Sequence, residues 1–126
     1  MKKPFVLCID RYEALLTSTK AVLTRAGYEV LTASSVPAGL SCLAQNPVDV
    51  VILDYTLCCH KHEPGCIADR IRALQEGVKL LVWCADDSVH RDNPPCADAA
   101  FMKPVSPDQL LARLDSLLRP SLNIAA

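Results

Sequence analysis

The sequence predicts an α/β fold, a single doubly wound five-stranded parallel sheet flanked by helices. Five short apolar runs alternate with amphipathic segments from one end of the 126 residues to the other. The runs are continuously apolar, where strands wet on one face would alternate, and this is the pattern of strands covered on both faces. Parallel neighbours need crossover connections, and the intervening segments have the length and the 3.6-residue period of helices.

The elements follow in order. Phe5–Ile9 is the first strand. Leu15, Thr19, Val22, Leu23 and Ala26 then recur at helical spacing, and Gly27 stands where a left-handed residue commonly ends a helix, which predicts a first helix over about 12–26. Residues 28–32 make the second strand. Val36–Gln45 opens with serines and Pro37 and closes at Asn46-Pro47, as a second helix would. Residues 48–53 and 78–84 are the third and fourth strands, and Ile67, Ile71 and Leu74 mark a helix between them that stops at Gly77. From 85 to 97, Asp86-Asp87-Ser88 and Asn93-Pro94-Pro95 leave hardly a turn or two of helix, so the fourth helix is expected to be short or irregular. Ala99–Met102 is a weaker fifth strand. Ser106-Pro107-Asp108-Gln109 then supplies an N-cap, a first-turn proline and a capping-box glutamine for a last helix through about Leu118.

Length and charge narrow the function. A chain of this size buries about two-thirds of the surface its unfolded form exposes, so it needs neither metal nor disulfide to fold. Residues 1–120 are expected to form the one domain and 121–126 a short tail. The 13 basic and 14 acidic side chains are scattered, with no basic stripe for nucleic acid or an anionic membrane. The apolar run before Asp10 is too short for a signal peptide, so the expected location is cytoplasmic. Seven cysteines is an odd number, and Cys8, Cys42 and Cys84 sit inside apolar runs as small hydrophobes, against a secreted disulfide framework.

In doubly wound sheets, ligands bind at the carboxyl ends of the strands where the winding reverses. Those ends read Ile9-Asp10-Arg11, Leu53-Asp54-Tyr55, Trp83-Cys84-Ala85 and Met102-Lys103-Pro104, so two carboxylates and an amine converge on one edge.

The order of "VLCID", "RAGYEVLTASS", "VDVVILD", Cys84-Ala85 and "FMKPVSPDQLLARL" resembles the receiver domain of two-component response regulators over nearly the whole chain, a flavodoxin-like fold of the chemotaxis-regulator kind. The resemblance implies that Asp54 accepts a phosphoryl group from a phosphohistidine and that Lys103 neutralises its oxygens. It implies that Asp10 is the first of the paired acids that hold Mg²⁺ together with Asp54, and that Cys84 occupies the switch position. The chemistry is sound in itself, since a carboxylate is a nucleophile and phosphoryl transfer depends mainly on cations around the moving oxygens.

Three departures bear on that chemistry. Arg11 stands where the family has its second acid; Asp10, Asp54, Lys103 and Arg11 sum to zero formal charge, against minus two with an acid there, so Mg²⁺ binding is expected to be weak or absent. Two placements of Arg11 remain open at this point, paired with Asp54 or turned outward to solvent. Cys84 replaces a hydroxyl residue with a weak donor. Ala100 stands three residues before the lysine, where many receivers have an aromatic ring, and Phe101 is one place late.

Beside Asp54, Cys58, Cys59, His60, His62 and Cys66 are residue types that suit Zn²⁺. Only Cys59 and His62 have clean ligand spacing, with His90 and Cys96 as candidates from a second segment, and the plain reading is a polar loop with incidental thiols. Two functions are therefore weighed: a stand-alone receiver docking to a sensor histidine kinase or phosphotransferase and a downstream target, and a metal-binding or thiol redox-switch module on the same scaffold. Three retained pocket groups favour the first. A homodimer is compatible with either, and no Ser/His/Asp order, phosphate loop or nucleotide fingerprint points to an independent enzyme.

Overall fold

The structure, a computed structural model, describes residues 3–57, 67–84, 97–102 and 106–118. The apolar runs form β1 (Phe5–Ile9), β2 (Glu29–Ala33), β3 (Val50–Asp54), β4 (Lys79–Cys84) and β5 (Ala99–Met102). They pair in parallel in the order β2-β1-β3-β4-β5. The chain runs outward from β1 to β2 and then crosses back to β3, so the winding reverses between β1 and β3.

Helices α1 (Glu13–Arg25), α2 (Val36–Gln45), α3 (Ile67–Leu74) and α4 (Pro107–Leu118) cover the sheet, and one 3-10 turn, Tyr55–Leu57, follows β3. Because strand side chains alternate, the sheet feeds two cores. Leu7, Ile9, Val51, Leu53, Leu80 and Val82 pack with Leu43 of α2 and with Ile67 and Ile71 of α3. Val6, Cys8, Val50, Ile52, Leu81 and Trp83 pack with Leu16 and Leu23 of α1 and with Leu110 and Leu114 of α4.

Several element ends differ by a residue or two from expectation, for local reasons. Helix α1 closes with a Schellman pair, in which Gly27 (φ 102°) donates to the Thr24 carbonyl and Tyr28 to that of Leu23. Tyr28 is thereby committed to the helix, and β2 begins at Glu29. The Val48 N–H goes to the Gln75 side chain at 2.7 Å, and Asp49 exchanges backbone and carboxylate bonds with Phe5, so β3 begins at Val50 and extends to include Asp54. In α1 the fully buried stripe is Leu16, Thr19 and Leu23, with Leu15 and Val22 only half-buried and Ala26 exposed. The capping box of α4 forms reciprocally: Gln109 N–H donates to Ser106 Oγ at 3.2 Å and Ser106 N–H to Gln109 Oε1 at 3.4 Å. The fourth connection, expected to be short or irregular, lies outside the described residues. Among the described residues no helix is long and apolar enough to cross a membrane.

Gly39 sets how closely α2 approaches the sheet. A Cβ there would stand 2.8 Å from Cγ1 of Ile9 and closer still to its Cδ1, so this side chain, fully buried in a close-packed core, would have to shift. Gly39→Ala should therefore destabilise the fold by about 1–3 kcal/mol despite the better helix propensity of alanine, read as a lower urea midpoint at unchanged slope.

Burial, helped by the nearby charge of Asp10, pushes the Cys8 thiol up to about 12 from an ordinary 9.0. The folded state holds the thiol neutral while the unfolded chain ionises it, so stability on this account is full below about pH 9 and falls as pH rises from there. Native protein at pH 8 should leave Cys8 unalkylated by iodoacetamide, and denatured protein should alkylate it fully, as peptide mass mapping would show.

Candidate functional site

The register decides which polar groups meet. Ile9 lies beside Leu53, and Asp54 beside Trp83. One step further along β1 sets Asp10 level with Asp54, and alternation puts Asp10, Asp54 and Trp83 on the sheet face that carries Cys8 and Ile52. Both carboxylates are buried, Asp10 at 1% and Asp54 at 3% exposure. Asp49 and Asp98, by contrast, sit at the opposite edge and accept the Phe5 and Leu80 amides, Asp98 also pairing with Arg72 at 3.1 Å.

A buried carboxylate is costly unless it is paired or hydrogen-bonded, and each of these two has found partners. Asp10 Oδ1 accepts the backbone N–H of Tyr12 at 3.0 Å, closing an Asx turn at the start of α1, where Tyr12 has no side-chain cap of its own. Asp10 Oδ2 accepts the indole N–H of Trp83 at 3.2 Å, a bond buried between strands β1 and β4. Asp54 Oδ2 lies 3.4 Å from Arg11 Nε.

Arg11 takes the first of the two placements the sequence allows, while staying 49% exposed. Its guanidinium carbon lies 5.2 Å from the centre of the Tyr12 ring, and Nη2 donates to Tyr12 Oη at 3.3 Å. One planar cation thus meets both the Tyr12 ring and the Asp54 carboxylate, an arrangement lysine could not reproduce.

Asp10, Arg11 and Asp54 thus come together. Cys84 ends β4 in register with Met102, the residue before Lys103. Lys103 itself, together with Cys58, Cys59, His60, His62, Cys66, His90 and Cys96, lies outside the described residues. Among the described residues no group of three or more His, Cys, Asp or Glu side chains could hold a metal ion. Sequence reasoning missed Trp83 as a site residue; the available signal was the chain's single tryptophan, with its polar N–H, placed at the carboxyl end of a strand.

No protein-family model matches the chain. Solved structures match nearly all of it. A CheY-like response regulator receiver domain protein from Methanospirillum hungatei is 27% identical with a TM-score of 0.75, covering 93% of this chain and 94% of that one. The response regulator TrrA from Thermotoga maritima, in complex with Mg²⁺-BeF, is 25% identical with a TM-score of 0.73, covering 91% and 99%. Among curated proteins, the transcriptional regulatory proteins AfsQ1 of Streptomyces coelicolor and AruR of Pseudomonas aeruginosa are 30% and 29% identical over 92% of this chain. The chain spans about half the length of those two relatives, 52% and 50% respectively. Five parallel strands in this order, flanked by helices, are the fold of response-regulator receiver domains, and the chain is similar to such domains over nearly its whole length, with Arg11 directly after the buried Asp10.

Receiver domains commonly bind Mg²⁺, but the groups described here do not fit that ion well. Mg²⁺ seeks octahedral oxygen ligands, mostly carboxylate and water. This pocket offers two carboxylates, one against a guanidinium and the other accepting two N–H donors.

Arg11 and Asp10 should respond differently to mutation. Arg11→Ala removes a half-exposed ion pair and should change unfolding free energy by less than about 1 kcal/mol. Asp10→Ala strands the buried Trp83 N–H and the turn at Tyr12 and should cost about 2–3 kcal/mol, both measured by urea denaturation.

Proposed function

We propose that this domain is the receiver of a two-component phosphorelay, with Asp54 as phosphoacceptor, and that Arg11 makes its phosphorylation inefficient. The observation that carries the reading is the buried Asp54 carboxylate at the carboxyl end of the central strand, level with Asp10 and held by Arg11. In the transfer, an oxygen of Asp54 forms the new bond to phosphorus as the bond from phosphorus to the histidine nitrogen of the donor breaks. Arg11 opposes this step in two ways. Its ion pair stabilises the carboxylate before attack, and its charge repels the divalent ion that usually gathers the phosphoryl oxygens. Lys103 is assigned the role of the remaining cation on those oxygens.

The domain is taken as residues 1–120, acting through protein contacts rather than as a metabolic enzyme. A sensor histidine kinase or a phosphotransferase delivers the phosphoryl group, and a downstream protein reads the result. With Cys84 at the switch position the hydroxyl donor of the usual switch is replaced by a thiol, which favours a weakened response to phosphorylation.

A small acyl phosphate donor with Mg²⁺, followed by intact-mass measurement, tests the proposal. The wild-type chain should label slowly and incompletely, Arg11→Asp several-fold faster, and Asp54→Asn not at all. Rapid stoichiometric labelling of the wild type would sink the claim of impairment, and no labelling of Arg11→Asp would sink the assignment of Asp54.

A further inference from the structure

We propose that Trp83 is a positioning residue of this pocket: its indole N–H fixes Asp10 toward protein donors and so limits divalent-cation binding, separately from Arg11. The inference rests on reading Asp10 and Asp54 as one pocket.

Trp83 is 3% exposed and its ring belongs to the core shared by β1, β3, α1 and α4, together with Leu16, Leu110 and Leu114. A ring held there cannot follow Asp10 if the carboxylate rotates. Each oxygen of Asp10 already accepts one N–H and keeps only its remaining lone pair for an ion, so a carboxylate that turns toward a cation stretches the 3.2 Å bond from the indole. Asp10 is 1% exposed, so bulk water does not reach the site freely to take up the released N–H. A donor stranded in this way costs more than the bond gained in forming it. The same carboxylate accepts the Tyr12 N–H through its other oxygen, so its rotation also disturbs the first turn of α1.

Two unlike obstacles to a cation therefore stand in one pocket. Arg11 acts through charge and can swing away, because half of it is already in solvent. Trp83 acts through hydrogen-bond geometry and cannot move without the core around it.

The test compares Mn²⁺ and Mg²⁺ binding by calorimetry in the wild type, Arg11→Asp, Trp83→Phe and the double variant. Phenylalanine keeps an aromatic ring and removes the donor, and because it is also smaller than tryptophan, urea denaturation checks that the variant is folded under the conditions of the titration. The double variant should bind about tenfold more tightly than Arg11→Asp alone, the size expected for one hydrogen bond to a charged group. Trp83→Phe with Arg11 retained should bind as poorly as the wild type. A second measurement leaves the tryptophan intact: it is the only one in the chain, so the indole N–H gives a single cross-peak in ¹⁵N–¹H spectra. In Arg11→Asp that peak should shift along the metal-binding curve. Equal affinity in the single and double variants, absence of binding in both, or an indole peak that stays still while metal binds overturns the proposal. None of these readouts uses phosphorylation, so an unreactive Asp54 would not be mistaken for this result.

Discussion

The parallel register of β1, β3 and β4 is the constraint on which the site depends. Once Ile9 lies beside Leu53 and Asp54 beside Trp83, two carboxylates are delivered to the same side of the same edge with almost no access to water. Such groups must be matched by cations or donors close at hand, because isolation would shift them to the neutral form or open the fold. Arg11, Tyr12 and Trp83 are the matching groups described here, and the chain supplies all three from the two strands' ends or the turn just beyond β1. One of the three, Arg11, is also a departure from the receiver pattern.

That self-sufficiency also explains why an arginine is tolerated there. Charge reversal inside a buried acidic pocket would ordinarily cost several kcal/mol, yet Arg11 keeps half its side chain in water and rests its guanidinium over Tyr12. It meets Asp54 through Nε, and Nη2 donates to Tyr12 Oη, so with half the side chain exposed the pair forms without a full loss of hydration.

Much of the scaffold was legible because its signals are local. Continuous apolar runs marked the five strands, Gly27 and Gly77 marked two helix ends with positive φ, and Ser106 with Gln109 marked the start of α4. Asp10 and Asp54 were legible as strand-end acids for the same reason. What could not be read was anything that depends on partners across strands. The choice between two orientations of Arg11 needs the distance to Asp54, and the indole bond to Asp10 needs a register spanning 73 positions of sequence. Helical periodicity alone rightly put Thr19 and Leu23 in the buried stripe of α1 but named Leu15 where Leu16 is buried, since a stripe of mixed apolar residues fixes the face of a helix only to within a neighbour.

Position in the fold gives the two blocking groups different consequences. Arg11, half-exposed, pairs with Asp54 from the solvent side of the pocket and is not part of the core. The indole is anchored among Leu16, Leu110 and Leu114, so a change in Asp10 that breaks its bond must be absorbed by packing beneath α1 and α4. The buried bond from Trp83 to Asp10 thus joins the pocket to the core beneath α1 and α4 through one hydrogen bond and one ring.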